Sequence, residues 1–113
     1  MKRYYIIIAL AFSSVLKAQD YKEDISVVQF SAEFVKSAEI DLKEFKDCNT
    51  YTFYIEKNKG VFDKEKIKYL PTILIFQNGK EIMREETGIS MKFAEGTAKK
   101  ILKEVEELIE SKF

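Results

Sequence analysis

The sequence predicts an α/β domain, a mixed central sheet flanked by helices, with elements in the order β-α-β-α-β-β-α. Three features carry this expectation: a short apolar run that passes into helical spacing after residue 32, an Asn-Gly pair between two β-type runs, and an amphipathic stripe near the C-terminus. Strand, crossover helix and strand imply a parallel pair, whereas the Asn-Gly connection implies an antiparallel one. Both pairings then belong to one sheet.

The first strand is Ile25 to Phe30, apolar except for Ser26 and Gln29. From Glu33 to Asp47 the apolar positions Phe34, Ala38, Leu42 and Phe45 recur at helical spacing, which predicts an amphipathic helix. "YTFYI", Tyr51 to Ile55, is aromatic and β-branched and reads as a second strand. Val61 to Lys68 can form a short helix with Val61, Phe62 and Ile67 on one face, stopped by Pro71, which pushes Leu70 into an extended conformation. In "TILIFQNGKEIMREE" two β runs flank Asn78-Gly79, the dipeptide best suited to the positive φ angles of a two-residue hairpin. Thr97 to Lys112 places Ile101, Leu102, Val105, Leu108 and Ile109 on one helix face, which should lie on the sheet.

The chain begins "MKRYYIIIALAFSSVLKAQD". A basic start, an apolar run from Tyr4 to Leu16 and the small Ala18 make residues 1–18 a signal peptide, with residues 19–113 as the single mature domain. The run is too short for a comfortable membrane span. Cleavage after Ala18 removes Lys2, Arg3 and Lys17 from the 19 basic residues and none of the 19 acids, leaving a net charge of −3. The competing assignment makes Tyr4 to Leu10 a first strand and Phe12 to Gln19 a first helix of a cytoplasmic domain.

Composition excludes several kinds of chemistry. With 113 residues the chain is one domain, and 46% apolar content is ample for a packed core. Nineteen basic and 19 acidic residues give no excess positive charge for nucleic acid. No histidine and one cysteine, Cys48, rule out the usual zinc sites, His-dependent nucleophiles and any intramolecular disulfide. The glycines at 60, 79, 88 and 96 are isolated and form no phosphate loop. Glu85-Glu86 and Glu106-Glu107 are adjacent in sequence and point apart, so they are not acid-base dyads. No metal or cofactor is expected.

Two segments carry a family resemblance. Val28-Gln29-Phe30-Ser31-Ala32-Glu33-Phe34-Val35-Lys36-Ser37-Ala38 aligns without gaps on V-D-F-W-A-E-W-C-G-P-C, and Ile67-Lys68-Tyr69-Leu70-Pro71-Thr72 is similar to I-R-G-I-P-T, with Gly88 at the place of a loop glycine. The chain thus resembles the thioredoxin family over about residues 25–113. The resemblance implies a thioredoxin-like fold and a cis Leu70-Pro71 bond. It also marks what is missing. Val35 and Ala38 stand where the family has its nucleophilic and resolving cysteines, and Gln29 stands where a buried acid serves proton transfer.

The implied function is a redox-inactive binding or accessory module of the bacterial cell envelope, periplasmic or secreted. In the family the groove beside the proline accepts extended peptides, and here Phe34, Val35, Leu70, Pro71, Gly88 and Ile89 would line it, with the turn around Val35 exposed. The partner is a protein or peptide, not nucleic acid. The bland reading leaves Pro71 as the holder of a turn and these apolar residues as ordinary surface. The competing function is a thiol-dependent oxidoreductase that uses Cys48 with a partner thiol. Cys48 falls near the end of the predicted helix, roughly fifteen Å or more from its start at about 1.5 Å per residue, and outside the field of the helix dipole. A half-buried, inert thiol is the expectation.

Overall fold

The computed structural model describes residues 20–112. The leader assigned to residues 1–18, and the competing first strand and helix, lie outside the described residues.

Four strands form one mixed sheet: β1 (Ile25–Ser31), β2 (Asn49–Tyr54), β3 (Thr72–Gln77) and β4 (Lys80–Glu86), in the order β2-β1-β3-β4. β1 runs parallel to β2, with Val28 beside Tyr51, and antiparallel to β3, with Val27 beside Ile75. β3 and β4 are antiparallel, with an irregularity between Ile75 and Phe76. Their connection is the Asn78-Gly79 turn, with φ angles of +50° and +88°. A glycine at the second position meets this backbone at no steric cost. The amides of Asn78 and Gly79 also donate to the carbonyls of Asp24 and Lys22, at 2.9 Å each, which ties the turn to the segment entering β1.

β1 is an inner strand and is buried along its whole length. Side chains alternate between faces, so its apolar residues divide between two cores. Ile25 and Val27 join Ile73 and Ile75 under Ile101 and Val105 of helix α2 (Thr97–Lys112). Val28 and Phe30 join Leu74 and Phe76 on the other face, with Phe62 of helix α1 (Ile55–Lys64). Phe30 and Phe62 meet edge to face, 5.2 Å between ring centres. This is the α/β mixed sheet with flanking helices that the pattern predicts.

Two helices differ from expectation. α1 covers Ile55–Lys64 rather than residues 61–68. It begins directly after β2, bends at Asn58, and stops where Lys66 takes a φ of +57°. The larger correction concerns residues 33–47, where no α-helix forms. Two short 3-10 turns, Glu33–Ala38 and Leu42–Glu44, flank an extended Glu39 and Asp41. Phe34 and Phe45, expected on one face, are 69% and 5% exposed.

The cause is a contact from β1. The Gln29 side chain donates to the Ile40 carbonyl at 3.0 Å and accepts from the Ile40 amide at 2.9 Å. It pairs with a peptide unit as a neighbouring strand would, and so engages the two groups that helical bonding at residue 40 would use. Glu39 is held by hydroxyls of Ser31 at 2.7 Å and Tyr54 at 3.3 Å, while Asp41 accepts from the Lys43 amide at 3.0 Å, capping the second turn.

Candidate functional site

The Leu70-Pro71 peptide bond is cis. Near it, the turn leaving β1, the approach to β3 and the loop after β4 meet around a groove of about 260 Å³. Phe34 comes from the first, Lys68, Tyr69 and Leu70 from the second, and Gly88, Ile89 and Met91 from the third. The loop is shaped by Gly88, whose φ of +75° suits glycine, and by Met91 at +58°, whose amide donates to the Gly88 carbonyl at 3.2 Å.

The groove collects apolar surface. Among the described residues the exposed large hydrophobic side chains are Phe34, Tyr69, Ile89 and Met91, and all four line it. Ile89 is 90% exposed. Isolated apolar residues on a surface need no explanation, but a cluster of every exposed one does.

The structure brings together four of the six residues assigned to this surface from the sequence: Phe34, Leu70, Gly88 and Ile89. Val35 and Pro71 are corrected. Both are buried, and neither lines the groove. Val35 was expected on an exposed turn. Instead its amide closes a tight turn onto the Ala32 carbonyl at 3.1 Å, with a φ of −117° that departs from helical geometry, and its side chain is 5% exposed. Lys68, Tyr69 and Met91 are groove residues that the sequence reading missed. Tyr69 could have been found as the neighbour of Leu70, but Met91 depends on the positive φ at its own position.

Cys48 lies elsewhere, in the turn before β2, packed against the core under α2. Burial, with the neighbouring Asp47 carboxylate, pushes its thiol up to about 11. Its Sγ sits 3.9 Å from the Phe45 carbonyl, and the long helix once expected to lead to it does not exist. A thiol in this setting is a poor nucleophile at neutral pH.

Polar groups near the sheet are committed to structure. Gln29 is 1% exposed and spends its amide on Ile40. Beside it lies a polar cleft of about 310 Å³ that includes Glu39, Asp41, Thr50 and Thr52. Glu65, at 8% exposure, accepts from the Tyr21 hydroxyl at 2.5 Å and pairs with Lys22 at 2.9 Å, which anchors the N-terminal approach to the end of α1. Burial, then the Glu65 carboxylate, raises the Tyr21 hydroxyl above its ordinary range. Among the described residues no group of three His, Cys, Asp or Glu side chains could hold a metal ion, and no helix is long and apolar enough to cross a membrane.

No family model and no curated protein matches the chain. Solved structures do. A thioredoxin from Schistosoma mansoni superposes with a TM-score of 0.61 at 19% identity, over 83% of this chain and 86% of that one. The reduced pre-protein of Schistosoma mansoni thioredoxin gives 0.56 at 18% identity, over 84% and 90%. A mutant thioredoxin from Halobacterium salinarum gives 0.55 at 16% identity, over 77% and 78%. At such identities the likeness establishes the fold alone. The chain is a thioredoxin-like fold protein with a single cysteine, and so without a Cys-x-x-Cys pair.

Proposed function

We propose that this chain is a redox-inactive, thioredoxin-like binding module of the cell envelope that holds a protein or peptide partner in the groove beside Pro71. The observation that carries the reading is the gathering of Phe34, Tyr69, Ile89 and Met91 around that groove. An apolar cleft open to solvent loses nothing by being empty of catalytic groups, and it gains by covering its surface with a partner. The leader-like residues 1–18 support export, with a mature N-terminus at Gln19. An intact mass from the native host that still includes residues 1–18 would overturn the export.

The competing oxidoreductase reading would have to use Cys48, and the raised thiol argues against it. In a dithiothreitol-coupled insulin assay the protein is expected to show no turnover above background. At pH 8, alkylation of Cys48 by iodoacetamide in the folded protein should be about tenfold or more slower than in the unfolded chain, because the thiolate fraction falls with the higher pKa faster than the intrinsic nucleophilicity of the thiolate rises. Insulin reduction that disappears in Cys48→Ser would establish the enzyme instead.

A further inference from the structure

The apolar groove continues into a second cleft of about 490 Å³, formed by Lys66, Lys68, Tyr69, Arg84 and Glu86. Lys68 and Tyr69 line both, so one surface passes from an apolar half to a basic half. We propose that the partner is an extended peptide segment whose apolar side chains fill the groove and whose neighbouring Asp or Glu side chains face Lys66 and Lys68. This rests on the groove reading and adds the chemical class of the partner.

Charge complementarity carries the assignment. Arg84 is fixed in place: it donates to the carbonyls of Glu65 at 2.8 Å and Lys66 at 3.3 Å, and pairs with Glu81 at 2.9 Å. Its charge is thus offset within the fold. Lys66 and Lys68 are exposed, and among the described residues neither takes part in an ion pair. Glu86 is the acid of this cleft. Residues 20–112 as a whole carry three more acids than bases, so two lysines against the single carboxylate of Glu86, beside the apolar surface, go against the charge of the domain. An acidic segment is attracted to this place, although the domain as a whole carries a small net negative charge. Extended chain advances about 3.3 Å per residue, so a peptide of six residues reaches about 20 Å and spans adjoining clefts.

The test uses the mature chain and three hexapeptides, acetylated and amidated so that no terminal charge contributes. All share Val-Leu-Phe as one half. The other half is Asp-Glu-Asp, Asn-Gln-Asn or Lys-Lys-Lys, and each peptide is made in both orders. Exposed charge pairs are individually weak, so two lysines should favour the acidic peptide over the amide peptide by about threefold to tenfold at low salt. The gap should close as salt rises. Lys66→Glu with Lys68→Glu should reverse the order, and Lys68→Glu alone should shrink it if the double variant does not fold. Equal binding of all three peptides, lost in Ile89→Glu, would keep the groove and overturn the acidic partner. Binding of none would overturn both. A concentration-dependent dimer dissolved by Ile89→Glu would give the groove to a second copy and overturn the proposal.

Discussion

Replacing Gln29 with leucine is expected to lower the melting temperature by about 10 °C. The side chain is nearly isosteric in bulk, so the loss is not one of packing. It strands the Ile40 amide and carbonyl, which Gln29 engages at 2.9 and 3.0 Å. A stranded buried group costs about 1–3 kcal/mol, and water entering from the adjoining polar cleft lowers that, so about 2 kcal/mol in total is expected. For a domain of this size, 1 kcal/mol corresponds to roughly 4–8 °C. Protection of the Ile40 amide from hydrogen exchange should vanish in the same variant. Gln29→Glu supplies an internal check. Its carboxylate can still accept from the Ile40 amide but sets a charged oxygen against the Ile40 carbonyl, so the folded protein raises the carboxyl pKa. Stability is then present below the unfolded value of about 4.3 and is lost as pH rises through the folded one. A melting temperature unchanged in Gln29→Leu would show that the contact does not hold residues 39–41.

That contact also marks where the sequence stopped being readable. The run Ile25 to Phe30, the Asn78-Gly79 turn and the stripe on α2 specify their structures through neighbours in the chain, and each formed as its pattern required. Residues 33–47 have an equally good helical pattern, yet the deciding partner of Ile40 is a side chain 11 residues away. Helical spacing shows that one face could be apolar; it does not show that the backbone lacks a better partner. Glu65 is similar, since its burial follows from Tyr21 and Lys22, more than forty residues earlier. In the groove, Phe34, Leu70, Gly88 and Ile89 were legible because they lie on segments that resemble a known family. Val35 was misread for the same reason: the position aligns with an exposed cysteine, but here a valine turns inward and is 5% exposed.

Introducing glutamate at Ile89 is expected to reduce partner capture by more than tenfold while leaving the fold unchanged. Ile89 is 90% exposed, so the free protein tolerates the charge. The complex does not, because the partner must desolvate a carboxylate against an apolar wall, at about 2 kcal/mol or more, which exceeds a factor of ten in affinity. Val35 cannot serve this purpose. A carboxylate there would be buried in the free domain, and loss of binding could not be separated from loss of folding. Phe34, 69% exposed on the turn leaving β1, is the second groove position where a charge can be placed safely.

The central claim, that this groove rather than a thiol meets the partner, is tested most directly by photo-crosslinking in the native host. A photoreactive residue replaces Ile89 in one strain and the exposed Glu106 on α2 in another. Discrete protein adducts at position 89, absent at position 106 and lost when Phe34→Glu is added to a protein still folded by circular dichroism, are the predicted result. Equal adducts at both positions, or adducts at 89 that persist in the folded Phe34→Glu variant, would contradict it.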